Sequence, residues 1–156
     1  MRVARTIDGL PHENTLALRK LKLFFQCFAG KHGTDAARGI ANVDYTVKVD
    51  GDVVDQGKTA ADGSVELLVP AGRRVELLLL GTTYDLKIEN ELKPYTTPIG
   101  HQQRLSGLGY DAGTHNGAVS ELFDRATLEF QGDEDLDPNG DVTPGTQNKL
   151  LSVYGW

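Results

Sequence analysis

Apolar and polar positions along this chain keep one period up to about residue 94 and a different one after it. In the first stretch the period is two. Val43, Tyr45, Val47 and Val49 alternate with Asp44, Thr46 and Lys48, which turns one face of a strand to a core and the other to water. Asp50-Gly51 and Asp62-Gly63 punctuate the pattern as turns, since glycine takes positive φ without steric cost. Val65, Leu67 and Val69 then alternate, Pro70-Ala71-Gly72 turns the chain, and Val75, Leu77 and Leu79 follow. Gly81 leads into Tyr84, Leu86 and Ile88, while upstream Leu21 to Phe28 reads as a further strand, apolar on both faces. Five or more short strands with this punctuation predict a small antiparallel β-sandwich.

Beyond Pro94 the period becomes helical. Thr97-Pro98 pairs a hydroxyl N-cap with a proline at the first helical position, and Gly109 ends the segment after Leu105 and Leu108. Ser120 caps a second helix carrying Leu122, Phe123, Ala126 and Phe130 on one face, with Gly132 as its stop. Thr143-Pro144 opens a third, with Leu150, Leu151 and Tyr154 on one side. Two loops of similar design join the helices: Asn116-Gly117 followed by Val119, and Asn139-Gly140 followed by Val142, the valines expected to plug the ends of a bundle. The fold class is therefore α+β in two small domains: an arm over 1–18, a β-sandwich over 19–93, a linker over 94–98 and a three-helix bundle over 99–156.

The order of these features resembles the peptidoglycan-binding-like domain, a three-helix bundle. The resemblance runs from about Ile99 to Leu151 and rests on Gln103, Leu105, Leu108, Gly109, Tyr110, Gly117, Phe130, Gln131, Gly140, Thr146 and Leu150. It departs where Asn116-Gly117-Ala118-Val119-Ser120 stands for the family's Asp-Gly-x-Phe-Gly, and where Thr143 stands for a glycine. The sandwich segment, with Val49-Asp50-Gly51, Gly57, Thr59, Asp62-Gly63, Val65 and Val69-Pro70, resembles Ig-like or carboxypeptidase-regulatory-like domains. Set before such a bundle, it looks like components encoded beside type VI secretion and other contractile injection machineries. A plain spacer domain is the alternative reading of the same turns.

Charge narrows the partners. A net charge of -6 argues against nucleic acid, whose affinity comes from clustered Lys and Arg. The single Cys27 cannot form an internal disulfide, so packing must hold the fold. No apolar run approaches the roughly 20 residues of a membrane span, and no export signal is evident. The chain is expected to be cytoplasmic as synthesised, or exported within a larger particle. Basic residues dominate Met1 to His32 and acidic ones Glu121 to Asp141, an asymmetry suited to docking, with Val3, Ile7 and Leu10 as anchors of an ordering arm or as part of a disordered leader. Leu21 to Phe28 is expected to face a partner or lie between sheets.

Candidate chemistry is sparse. Asp135, Asp137 and Asn139 before Gly140 reproduce the start of an EF-hand-type calcium loop, but Thr146 stands where a bidentate carboxylate is needed, so an acidic solvated loop is expected and calcium is only an alternative. His12, His32, His101 and His115 show no zinc spacing, although His101 could approach His115 across the bundle; solvated side chains are expected. No nucleophile motif or facing carboxylate pair is marked, so no enzyme and no cofactor is expected. The binding candidates are Tyr110, Asp111, Asn116, Gly117 and Gln131, which could hold a sugar face and a peptide stem. Packing of Tyr110 over the bundle's end is the equal alternative. The expected function is a non-catalytic binder or adaptor for peptidoglycan or a protein assembly. A structural part of a tail-like or secretion particle, and an accessory of a cell-wall hydrolase or a weak cell-wall hydrolase itself, are the competing readings.

Overall fold

The computed structural model describes residues 18–31, 38–88 and 91–154. The expected arm, with Val3, Ile7 and Leu10, and the histidines His12 and His32 lie outside the described residues. The chain divides into two compact units, one within Met1–Phe25 and Gly39–Asn90, the other within Gln26–Arg38 and Glu91–Trp156.

Among the described residues the first unit holds six antiparallel strands in two sheets. They are β1 (Leu18–Phe24), β2 (Asp44–Val49), β3 (Asp52–Lys58), β4 (Ser64–Pro70), β5 (Val75–Leu79) and β6 (Thr82–Leu86). One sheet pairs β1 with β4, and the other runs β3-β2-β5-β6. Period-two alternation sets the inner faces: Val65, Leu67 and Val69 of β4 and Val75 and Leu77 of β5 join Val47 of β2 in one apolar cluster. Side chains from both sheets share this core, each worth about 1.5–3 kcal/mol once removed from water.

β1 differs from its expectation. It ends at Phe24, and its register places Arg19, Leu21 and Leu23 against Val69, Leu67 and Val65, while Lys20 and Lys22 fall on the exposed face beside Glu66. The strand is thus two-faced, with Lys20 Nζ 3.0 Å from Glu66 Oε2 on its wet side. At Phe25 the amide donates to Gly63 O at 2.9 Å, and from Gln26 the chain enters the second unit. β3 carries no apolar signal at all, because every residue but Gly57 is exposed and its Val53 and Val54 face solvent on a sheet edge. The hairpin with β2 creates it, with a bulge opposite Val47 and Lys48.

The two tight hairpins make an internal comparison. Asp50 (φ 51) and Gly51 (φ 93) close β2–β3, and Leu80 (φ 52) and Gly81 (φ 76) close β5–β6. Both need a left-handed residue at the first position. Asp50 suits it and also accepts from Arg73 Nη1 at 2.8 Å. Leu80 gains nothing there: its Cβ is crowded and its side chain is 64% exposed. Leu80→Asn is expected to raise stability by about 1 kcal/mol, read as a higher urea midpoint at unchanged slope.

Among the described residues the second unit holds three helices, α1 (Pro98–Gly107), α2 (Glu121–Asp133) and α3 (Pro144–Tyr154). The expected caps form. Thr97 accepts from Gly100 N, Ser120 Oγ from Phe123 N at 3.2 Å, and Thr143 Oγ1 from Thr146 N at 3.3 Å. Leu105, Leu108, Tyr110, Ala112, Phe123, Ala126, Phe130 and Leu150 form its core. Gly132 does not stop α2, which continues to Asp133; the reversal falls at Asp135 (φ 55), where Leu136 N reaches back to Gln131 O at 2.8 Å. Asp135 thus takes the left-handed place that ends many helices. Among the described residues no helix is long and apolar enough to cross a membrane.

Candidate functional site

The two Asn-Gly loops are built alike, and the builder of each is a buried glutamine. At the first, Gly117 N donates to Gln102 Oε1 at 2.8 Å while Gln102 Nε2 donates to Ala118 O at 3.0 Å. At the second, Gly140 N donates to Gln131 Oε1 at 2.9 Å while Gln131 Nε2 donates to Asp141 O at 2.9 Å. Each asparagine closes its own turn, Asn116 Oδ1 accepting from Ala118 N and Asn139 Oδ1 from Asp141 N, both at 2.9 Å. Each loop then delivers the hydroxyl that caps the next helix, Ser120 or Thr143. A carboxamide offers one acceptor and one donor group in a single plane, which is what a backbone corner needs from a neighbouring helix.

The second clamp is the denser one. Gln131 also receives Asn139 N at 3.1 Å and donates to Asn139 Oδ1 and Thr146 Oγ1, each at 3.1 Å. A third glutamine works the same way upstream, Gln103 accepting from Lys93 N at 2.7 Å and donating to Glu91 O at 3.0 Å. Arg104 adds Nη1 bonds to Lys93 O and Gly100 O at 2.8 and 2.9 Å. The stretch before α1 is therefore pinned to that helix.

The binding candidates separate into internal and external groups. Tyr110 is 3% exposed; it follows the left-handed Gly109 at the end of α1, and its amide returns to Leu105 O at 3.0 Å. Its ring meets Phe130 edge-on at 5.9 Å, and its hydroxyl donates to Asp133 Oδ2 at 2.7 Å. Burial first, then the Asp133 bond and the charges of Asp133 and Glu134, hold the phenol far above its ordinary range. From Gln26–Arg38, Ala29 packs on the same core and Gly30 N donates to Leu108 O at 2.8 Å. Tyr110 therefore offers no open ring face, and Gln131, 1% exposed, is likewise buried. Asp111 and Asn116 are exposed, and Gly117 (φ 78) lies between the clamp and Ile99.

Val142 packs against the core, but Val119 is 77% exposed and plugs nothing. The same local sequence meets different surroundings in the two loops. Gln102 is the residue that sequence reasoning missed; its signal is only a polar side chain one position before Gln103, inside a helix.

His101 and His115 have different partners. His115 Nε2 lies 2.9 Å from Ser106 Oγ, whereas His101 is buried with its ring bonded to the Tyr95 backbone and its Nε2 without a partner among the described residues. His101 is thus a buried histidine, not a solvated one. Burial, with Arg104 nearby, holds its pKa below the ordinary 6.5, and the Tyr95 bond opposes this only in part. It also sits in the first turn of α1, where a cation is unfavourable. As pH falls through about 6.5 the unfolded chain takes the proton first, so the stability present above that pH is progressively lost below it. Urea midpoints between about pH 7.5 and 5.5 are expected to fall more steeply for the wild type than for His101→Gln.

Asp135 is a helix-ending residue and Asn139 Oδ1 is shared by two protein donors. Among the described residues no group of three or more His, Cys, Asp or Glu side chains is placed to hold a metal ion.

Comparison with curated proteins and with solved structures found no match. Residues 101–150, which carry both clamped loops and the body of the helical unit, match the family model described as a putative peptidoglycan binding domain, a binding module and not a catalytic one.

Proposed function

We propose that this protein is a non-catalytic cell-wall binder whose helical unit, read as a three-helix bundle, engages peptidoglycan through the exposed corner at Asp111, Asn116 and Gly117. The observation that carries the reading is the family match over 101–150, which includes both clamped loops. Rigid loops suit a binding role because a contact surface held in advance loses little entropy on association. Tyr110 and Gln131 act from within, setting the loops instead of touching the ligand. The two-sheet unit, read as an Ig-like β-sandwich, serves as the docking part toward a larger protein assembly, of which a contractile injection or type VI secretion spike is one instance. The reading requires no cofactor, and calcium at Asp135, Asp137 and Asn139 is not part of it.

Incubation of the full chain with purified sacculi tests this. Pelleting without release of soluble fragments, weakened by Asp111→Ala or Asn116→Ala, is the expected result. Release of fragments would support the enzyme, the reading as a weak cell-wall hydrolase. A second reading is favoured by the burial of Tyr110 and Gln131: the fold reused as a structural part of a particle, with no ligand of its own. Failure to pellet, with co-purification in a large complex, would replace the first reading by that one.

A further inference from the structure

Two Asn-Gly pairs lie in exposed loops of one unit, and Asn-Gly is the dipeptide in which the following backbone nitrogen most easily reaches the asparagine side chain, because glycine adds no Cβ to obstruct it. The reaction is a self-modification. The glycine nitrogen loses its proton to a solvent base and attacks the asparagine Cγ; the new C–N bond closes a cyclic imide, the Cγ–Nδ2 bond breaks, and the departing nitrogen takes a proton from solvent to leave as ammonia. Water then opens the imide at either carbonyl to give aspartate or the β-linked isoaspartate. No oxidant or reductant is involved.

Two requirements decide the rate in a folded chain: the glycine N–H must be released, and the side-chain carboxamide must rotate to present Cγ. The loops share the first restraint, since Gly117 N is held by Gln102 Oε1 at 2.8 Å and Gly140 N by Gln131 Oε1 at 2.9 Å. They differ in the second. Asn116 is exposed and its Oδ1 accepts from Ala118 N. Asn139 Oδ1 accepts from Asp141 N and also from Gln131 Nε2 at 3.1 Å, and its own amide donates to Gln131 Oε1 at 3.1 Å. One glutamine thus holds the nucleophile, the carboxamide it would attack and the asparagine's own amide.

We propose that Asn116 is a deamidation site of the folded protein and that Asn139, with the same following residue, is locked against the reaction by Gln131. The aspartate product keeps an Oδ1 acceptor for Ala118 N and adds a negative charge one short loop before α2. The isoaspartate product lengthens the backbone by a methylene immediately before the clamped Gly117 N. The proposal is independent of what the helical unit binds.

Peptide mapping by mass spectrometry of the full chain, held in mildly alkaline buffer with and without urea, tests it. In the native protein Asn116 is expected to convert roughly tenfold or more faster than Asn139, the two further hydrogen bonds to Gln131 making the difference. In urea the two are expected to convert at similar rates, which assigns the native bias to the fold. Equal native rates, a faster Asn139, or the same bias in urea would each overturn the proposal. Gln131→Met is expected to raise the rate at Asn139 toward that at Asn116. Gln131→Glu, which keeps an acceptor for Gly140 N and Asn139 N but loses the donor to Asn139 Oδ1, is the second variant should the first unfold. An Asn139 rate unmoved in a folded variant of either kind would count against the lock.

Discussion

Replacing Gln131 by leucine is expected to destabilise the helical unit by about 3–5 kcal/mol, more than an ordinary polar-to-apolar exchange of similar size. The side chain is 1% exposed and spends both ends of its carboxamide on the chain. Oε1 receives Asn139 N and Gly140 N, while Nε2 reaches Asn139 Oδ1, Asp141 O and Thr146 Oγ1. Leucine fills most of the volume but leaves Gly140 N without its acceptor and strips one bond each from Asn139 N, Asn139 Oδ1, Asp141 O and Thr146 Oγ1, which keep only their bonds within the loop and to Thr143. The loop is expected to loosen and, with it, the Thr143 cap of α3. Loss of far-ultraviolet circular dichroism in urea reports this unit, since the helices of the described residues all lie in it. Gln102→Leu removes two bonds and is expected to cost about 1–2 kcal/mol, so the ratio of the two effects tests the clamp more sharply than either alone. A Gln131→Leu variant with wild-type stability and lost sacculus binding would return Gln131 to the ligand surface and remove its role as a clamp.

That prediction turns on a residue whose place is hard to read from sequence. Glutamine is mostly an exposed residue, so a helical pattern marks Leu105, Phe123 and Phe130 as core and passes over Gln102 and Gln131 between them. Local signals were legible where the physics is local. The caps at Thr97, Ser120 and Thr143 follow from a hydroxyl facing free amides, and β2, β4 and β5 follow from alternation against a core. Edge strand β3 has no such face and exists because a tight Asp50-Gly51 turn returns the chain along β2. The excursion of Gln26–Arg38 into the helical unit is a long-range event, and no short window contains it. Val119 and Val142 show the limit most plainly: after the same Asn-Gly corner, one lies in solvent and the other on the core, because burial depends on what the rest of the chain brings near. For the candidate site, the loops and their turn residues were readable, while the distinction between a ring that binds and a ring that packs needed the Asp133 and Phe130 contacts of Tyr110.

In the two-sheet unit the largest expected loss comes from Gly63→Ala, at about 4 kcal/mol or more. Gly63 has φ 76, a conformation in which alanine is strained by roughly 1–2 kcal/mol wherever it occurs. The larger share comes from what surrounds it. A Cβ there would overlap the Phe25 carbonyl oxygen and come within 2.8 Å of Ile40 N and 3.0 Å of Gly39 Cα, all of them backbone atoms that cannot swing aside. The same three strands of chain are tied at this point, Phe25 N donating to Gly63 O at 2.9 Å and Ile40 N to Phe25 O at 2.8 Å. Making room would part the end of β1 from the start of β4 and open the core over Val65. Gly72→Ala is the matching control, because Gly72 has nearly the same φ, 74, with no atom within 4 Å of an added Cβ. It is expected to cost only the conformational part, about 1–2 kcal/mol. Urea midpoints read from the ring resonances of Tyr45 and Tyr84, both in this unit, give the comparison. Equal losses for the two variants would show that left-handed strain alone accounts for Gly63, and that the crossing of backbones there carries no weight.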